Sequence, residues 1–381
     1  MKSVYLDNAA TTAVRPEVIE RMTNVLKENF GNPSSTHSFG RSSKVLLEQC
    51  RKNIASYFNA SAQEIIFTSG GTEADNLAMR SAVRDLGVNE IITSRIEHHA
   101  VLHTAEQLKD EYGIKISIVE IDSIGLVDYA HLDTLLKASD KALVSLMHIN
   151  NEIGTMLDLE KVATLCQSHG ALFHTDTVQS IGHFKLDLEK LPIDFMAASA
   201  HKFHGPKGIG FCFVRKESGL KPIIFGGEQE RGVRAGTESV HNIVGMDEAL
   251  KIAYANIDTE SKYILGLKSY FIKKLKTEVP GVTFNGACLD FDKSTYTLVN
   301  VCLPIAPEKA PILQFQLDLK GIACSKGSAC QSGSGKQSHV LTAILSDEDL
   351  KKPSVRFSFS VYNTRDELDY VIDILKEFAK S

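Results

Sequence analysis

Residues 64–79 read EIIFTSGGTEADNLAM. An apolar, β-branched and aromatic run stops at two glycines, and a helical pattern follows. Strand, tight turn and helix in so short a span form the repeating unit of α/β domains. A Gly-Gly-Thr turn opening a helix presents free backbone N–H groups and the positive end of the helix dipole, which suits an anion. Thr72 and Asp75 have capping-box spacing. Neither Gly-x-x-x-x-Gly-Lys nor the dinucleotide fingerprint occurs here, and this stretch alone is also compatible with an ordinary turn between strand and helix.

Working outward, the same rhythm holds from about residue 16 to 255. Strand-like runs at 64–69, 90–94, 115–121, 142–149, 171–175, 193–199 and 210–215 alternate with helical patterns such as 73–86, 99–112 and 159–169. Short apolar strands between helices predict a mostly parallel sheet covered on both faces. After about residue 256 the rhythm changes to long helical patterns, two separated strands (295–303 and 354–360) and a last helix opened by TRDE, with Thr364 and Glu367 at capping-box spacing. The expected division is a large domain over 15–255 and a smaller α+β domain built from 1–14 and 256–381.

Composition narrows the class. The chain has 381 residues, 23% of them charged, and a formal net charge of -5, which gives no electrostatic reason to expect nucleic-acid or anionic-membrane binding. No apolar run approaches the ~18–20 residues of a membrane span, and the first residues carry no signal-peptide pattern. Seven scattered cysteines without a CxxC predict reduced thiols and a cytoplasmic location, and no metal-site spacing is present.

Two further stretches extend the reading at 64–79. In ASAHKFHGPKGIGFCFV (198–214), Ser199, His201 and Lys202 follow a strand at its carboxyl end, where open α/β sheets bind ligands. Lysine there can contact a phosphate or form a Schiff base, or be a plain surface lysine. In LFHTDTVQS (172–180), Asp176 and Gln179 follow another strand, and Asp176 breaks an apolar neighbourhood in which an unpaired carboxylate is costly. A phosphate cradle, an imine-forming lysine and a carboxylate for a ring nitrogen are together the parts that pyridoxal 5'-phosphate requires. Cys330 stands apart, in the Gly/Ser-rich run ACSKGSACQSGSGKQSHV (323–340), whereas free cysteine is usually a small buried hydrophobe.

With YLDNAATT, FGNPSSTH, TSGGTEADN, EHHAV, HINNEIGT, HTDTVQS, SAHKFHGPKGIG, ERGVRAGTES and GSACQS in order, the chain resembles the NifS/IscS-like cysteine desulfurases, class V of the fold-type I pyridoxal-phosphate enzymes, over nearly its whole length. The resemblance implies an α/β large domain with a mostly parallel seven-stranded sheet plus a smaller α+β domain. It makes Lys202 the imine-forming lysine. Gly71, Thr72, Ser199 and His201 would bind the cofactor phosphate, and Thr237 would reach the phosphate of the neighbouring subunit of a homodimer. His98 would stack on the pyridine ring, Asp176 would face its nitrogen and Gln179 its phenolic oxygen. Asn151 and Arg356, with Asn32 nearby, would hold the substrate α-carboxylate.

Cys330 would be the nucleophile that takes sulfur from L-cysteine as a persulfide, leaving alanine, on a loop expected to be mobile. The sulfur would pass to an acceptor protein such as an iron–sulfur scaffold or a tRNA-thiolation protein. An unperturbed thiol, with a pKa of ~8.5, is only a few per cent ionised at pH 7, so His98 or the cofactor is expected to assist its deprotonation. Cys324 is expected to be a strand-end or core cysteine. Glu228 stands where many relatives carry a third glycine, and docking through the C-terminal tail common in the family is not expected, the sequence stopping at Ser381. The alternatives are a selenocysteine lyase, an aminotransferase, which would have no need of Cys330, and a non-enzymatic carrier using Cys324, Cys330 and His339.

Overall fold

The computed structural model describes residues 3–216, 219–326 and 337–380. Its strands are β1 (Val4–Tyr5), β2 (Ile65–Thr68), β3 (Glu90–Thr93), β4 (Lys115–Ile118), β5 (Ala142–Ser145), β6 (Leu172–Asp176), β7 (Phe195–Ser199), β8 (Gly210–Val214), β9 (Thr283–Asn285), β10 (Leu298–Cys302), β11 (Ile322–Ala323) and β12 (Ser354–Ser358). Its helices are α1 (Pro16–Glu28), α2 (Ser38–Ser56), α3 (Gly71–Leu86), α4 (His99–Tyr112), α5 (Tyr129–Ala138), α6 (Leu159–Ser168), α7 (Val240–Glu278), α8 (Ala310–Leu319), α9 (His339–Ile344) and α10 (Arg365–Lys380).

Seven strands form one sheet in the order β2-β8-β7-β6-β5-β3-β4. Its pairs are parallel except those of β8, which runs antiparallel to both β2 and β7. The exception follows from chain length: β7 and β8 are joined by a short Gly/Pro turn, and a parallel return needs a crossover of a dozen or more residues. The strands β2, β3, β5 and β7 are buried at every position, as a sheet covered on both faces requires. One large apolar cluster lies against each face, one including Phe58, Phe173, Phe203 and Phe211, the other Leu77, Met79, Leu108 and Phe195.

A separate cluster around Phe271, Phe357, Leu368 and Leu375 packs the three-stranded antiparallel sheet β12-β10-β9 against α10 and the second half of α7. The change of rhythm expected near residue 256 falls inside α7, one helix of 39 residues. The N-terminal segment links the two regions. β1 pairs with β11, Ser358 N–H donates to the Leu6 carbonyl, and residues 9–12 then cross to the turn that carries Lys202.

The Thr364–Glu367 capping box forms, with Thr364 N–H donating to Glu367 Oε2 at 2.9 Å and Glu367 N–H to Thr364 Oγ1 at 3.3 Å. The Thr72–Asp75 box does not. α3 begins two residues earlier than that box needs, with Gly70 as a cap that has no side chain to offer, and Asp75 is buried instead.

The loop leading to Thr237 is held by a buried ion pair. Arg51 is bidentate to Glu230, at 2.6 and 2.8 Å, and Glu230 also accepts Phe67 N–H at 2.8 Å. This fixes Glu230 and Arg231 at φ of 47° and 59°, a left-handed backbone that costs energy outside glycine. Removing one partner of such a pair strands the other charge, so Glu230→Ala should cost about 3–5 kcal/mol. Urea unfolding at fixed protein concentration checks this; a loss below about 1 kcal/mol would mean that the pair is solvent-screened.

Candidate active site

The carboxyl ends of β6 and β7 open into a cavity of about 210 Å³. Gly71, Thr72, His98, Asn151, Asp176, Gln179, Ser199, His201, Lys202 and Arg356 all line it. Larger clefts of about 720 Å³ near Tyr129 and about 900 Å³ near Phe315 gather no comparable set of reactive groups. Chemistry rather than volume picks out the site.

Lys202 ends a single helical turn directly after β7, and its Nζ donates to the carbonyls of Ala9 and Ala10 at 2.6 and 2.9 Å. Gln179 Nε2 donates to the same Ala9 carbonyl at 2.9 Å. His201 lies against Thr11 Oγ1 at 3.1 Å, and burial, then Lys202 and Lys207, push its ring down to about 4. It therefore offers a neutral imidazole at neutral pH.

Asp176 closes β6 and accepts Val178 N–H at 2.9 Å. Burial raises its carboxyl pKa, while the nearby His98 and Lys202 draw it back down. A buried carboxylate in that state is stabilised by a cationic partner.

His98 caps α4: its Nδ1 accepts Ala100 N–H at 3.1 Å. That contact needs the lone pair on Nδ1, so in the neutral ring the hydrogen sits on Nε2. Burial lowers the ring's pKa and Asp176 partly offsets this, which keeps the neutral form in the resting site.

Arg356, with 1% of its surface exposed, donates from Nη1 to the Asn151 carbonyl and from Nη2 to Asp7 Oδ1 at 2.6 and 2.7 Å. Its buried Nε has no hydrogen-bond partner. An anionic ligand in the cavity would answer that orphaned donor.

Two expected residues lie outside the cavity lining. Asn32 is exposed and caps its own turn, accepting Ser34 N–H. Thr237 is exposed just ahead of α7. Cys330 lies outside the described residues. All six described cysteines are buried and free of disulfides. Burial pushes Cys166 and Cys324 up to about 12 and raises Cys50, Cys212 and Cys288, so none of these five is a ready thiolate. Cys324 is thus a buried core cysteine, as expected.

The class-V aminotransferase family model matches residues 4–371. The chain is 40% identical, over all of its length and 95% of the relative's, to cysteine desulfurase IscS of Dictyoglomus turgidum. It is 42% identical, over the whole of both chains, to putative cysteine desulfurase IscS 1 of Bacillus subtilis. The chain belongs to the cysteine desulfurases of that family. A solved NifS-like protein superposes on the desulfurase with a TM-score of 0.89 at 35% identity over both whole chains. A structure of SspA in complex with cysteine does so with a TM-score of 0.82 at 31% identity, covering 95% of this chain and all of that one.

Desulfurases of this family use pyridoxal phosphate, and the cavity of this one fits the cofactor. A Cβ on Gly71 would stand 2.5 Å from Val178 Cγ2, so only glycine leaves the start of α3 open beside Ser199. The N-terminal N–H groups of α3 have no side-chain cap, which leaves donors for a phosphate. Asp176 would supply a buried carboxylate for a ring N–H.

Several contributors went unread in the sequence of this desulfurase. The Ala9 and Ala10 carbonyls hold Lys202, and a main-chain acceptor carries no side-chain signature. Asp75 lines the cavity, 3.3 Å from His174 Nε2; burial first, then the charges of Asp176 and Glu97, raise its carboxyl. Its one visible signal was a carboxylate in an otherwise apolar helix face.

Glu97, just before His98, accepts Ser94 Oγ and Met147 N–H at 2.7 and 2.8 Å. Burial nevertheless pushes its carboxyl up to about 8. The folded desulfurase therefore keeps a proton that the unfolded chain gives up near pH ~4.3. Where the folded state binds more protons, stability falls as pH rises, here from about 4.5 to about 8. Glu97→Gln should flatten that slope, checked by denaturation midpoints at pH 5 to 8.5; an unchanged slope would mean that Glu97 is ionised throughout.

Proposed function

We propose that this desulfurase converts L-cysteine to L-alanine and leaves the sulfur on Cys330 as a persulfide, for transfer to an acceptor protein such as an iron–sulfur scaffold or a tRNA-thiolation protein. The observation that carries this is the convergence of Lys202, Asp176, His98 and Arg356 on one cavity, while every described cysteine is buried. When bound, pyridoxal phosphate supplies an electron sink that makes the substrate Cα proton removable.

The chain's own residues do the rest. Gly71, Thr72, Ser199 and His201 would hold the cofactor phosphate, Asp176 its ring nitrogen and Gln179 its phenolic oxygen. Arg356 and Asn151 hold the substrate carboxylate, with Asn32 nearby. Lys202 Nζ, the imine-forming amine in the resting enzyme, takes the Cα proton once free and returns it. His98 would stack on the ring and, with Nδ1 occupied by Ala100 N–H, offer its Nε2–H as a hydrogen-bond donor to the incoming sulfur, the Cys330 thiol having lost its proton to solvent. The Cys330 thiolate bonds to the substrate sulfur as the Cβ–S bond breaks; the electron pair stays with carbon, and a proton converts it to the methyl group of alanine.

Ser325 is bridged to the strand of Arg356 and lies five residues before Cys330.

The functional unit we propose is a homodimer in which Thr237 serves the neighbouring cofactor phosphate. Exposed Ile19, Leu26, Phe30, Phe39 and Val45, on and between α1 and α2, support a buried partner face there. The proposed division is a cofactor domain over 15–255 and a small domain from 1–14 and 256–381. The six free described thiols suit a reducing, cytoplasmic compartment. In the test, mass spectrometry after incubation with L-cysteine and no acceptor should find one added sulfur on the Cys330 peptide, removable by a thiol reductant. Release of alanine with that peptide unmodified would overturn the reading.

A further inference from the structure

The turn that opens α3 holds a charge that a phosphate site does not call for. Glu73 follows Thr72 in the first turn of the helix, and its carboxylate reaches back across Gly70 and Gly71 to accept Ser69 N–H at 2.8 Å. The charge therefore stands beside the main-chain donors that α3 offers to the cofactor phosphate. Burial alone would raise the Glu73 carboxyl, but hydrogen bonds from Arg234 and Ser69 and the charge of Arg234 hold it below the ordinary carboxylate range. Glu73 is thus an anion at neutral pH.

A phosphate monoester carries ~1.5–2 negative charges at pH 7. A fixed carboxylate beside its seat opposes that charge, and salt screens a partly buried anion poorly. Arg234 answers it. Its Nε donates to Glu73 Oε1 at 2.8 Å and its Nη2 to Oε2 at 3.3 Å, the two-pronged contact that suits a guanidinium and a carboxylate. Only 13% of the Glu73 side chain and 24% of the Arg234 side chain are exposed. Arg234 comes from the loop that carries Thr237, 161 residues after Glu73. Fastening that loop does not account for the pair, because Arg51 and Phe67 N–H already pin the loop to β2 through Glu230.

We propose that Arg234 is a positioning residue for the cofactor phosphate: it cancels the charge of Glu73, so that Glu73 braces the Gly70–Gly71 turn without repelling the phosphate dianion. This role rests on the reading that the turn, Ser199 and His201 seat that phosphate. Neither Glu73 nor Arg234 lines the cavity, so both act through the turn and its field rather than by contact. The bond to Ser69 N–H shapes the turn, and the guanidinium removes the electrostatic penalty of that bond. Loss of Arg234 leaves the carboxylate in place and unopposed, which is worse for a phosphate than losing both charges.

The experiment titrates the full-length protein, freed of cofactor, with pyridoxal 5'-phosphate and separately with pyridoxal, which lacks the phosphate, and follows the imine absorbance. Arg234→Ala should weaken pyridoxal phosphate binding about tenfold and leave pyridoxal within about twofold of wild type. Glu73→Gln, which keeps an acceptor for Ser69 N–H without the charge, should bind pyridoxal phosphate at least as tightly as wild type. The double variant, Glu73→Gln with Arg234→Ala, should return to within about threefold of wild type. A pair that only fastens the loop predicts a double variant as weak as Arg234→Ala. That result, an unchanged affinity in Arg234→Ala, or an equal loss for pyridoxal would overturn the proposal. If Arg234→Ala does not fold, Glu73→Gln decides, and weaker pyridoxal phosphate binding there would overturn it as well. Ser199→Ala tests the reading beneath. Unchanged pyridoxal phosphate affinity in Ser199→Ala would remove the phosphate seat itself, whereas a loss there with none in Arg234→Ala would remove only the role of Arg234.

Discussion

Cys330→Ala takes up pyridoxal phosphate, binds L-cysteine and releases no sulfide, with turnover falling by at least about 10³-fold. The expectation rests on where the other thiols are. Cys324, six residues away in sequence, is buried and pushed up to about 12. It cannot replace a nucleophile that must be ionised near neutral pH. Cys50, Cys166, Cys212, Cys288 and Cys302 are likewise buried. A serine at 330 should be no better, because its hydroxyl is far less acidic than a thiol and forms no persulfide. The measurements are sulfide and alanine in the presence of a reductant, with the cofactor absorbance recorded on adding L-cysteine. An aminotransferase would keep its turnover in this variant, and sulfide release at even a tenth of the wild-type rate would reject the assignment.

Lys202→Ala should be as severe and should fail earlier. Its Nζ is the one amine lining the cavity among the described residues, held by two backbone carbonyls 2.6 and 2.9 Å away. Without it the resting enzyme has no imine to the chain and no base at Cα. General acid–base catalysis alone contributes ~10²–10⁴-fold, so a loss of at least 10³-fold is expected. Lys202→Arg should not recover it, because guanidinium stays protonated and forms no imine. Two readouts separate the roles. Borohydride reduction should attach cofactor to the wild-type chain at residue 202 and not to the variant, and alanine production should vanish in parallel. Wild-type turnover in Lys202→Ala would require another amine, and the cavity lining offers none.

Much of this site was legible before any coordinates. Asp176 and Ser199 end strands and Lys202 and Thr72 follow strands closely, and the carboxyl ends of the parallel neighbours β6 and β7 lie side by side. Local pattern therefore carried both the residues and their convergence. Arg356 was legible for a different reason: a guanidinium inside an apolar strand calls for an anion. Its structural anchors, Asp7 and the Asn151 carbonyl, come from segments more than 200 residues away and leave no local trace.

Pattern failed where one residue could serve two local structures. Thr72 and Asp75 have the spacing of a capping box, yet α3 starts at Gly71 and Asp75 is drawn into the core beside His174. Packing of α3 against the sheet outweighs a cap worth ~1 kcal/mol.

From its sequence alone this protein reads as an α/β desulfurase in which Lys202, Asp176 and the Gly/Ser-flanked Cys330 are expected to carry the chemistry, because periodicity, turn chemistry and motif order are local properties that survive without coordinates. Folding decided what depends on distance across the chain. It set the backbone carbonyls of Ala9 and Ala10 against Lys202 and the tautomer of His98, and it joined Ser338 to Glu152 next to Asn151. Such contacts join segments far apart in sequence, and only packing of the two regions around one cavity brings them within hydrogen-bond range.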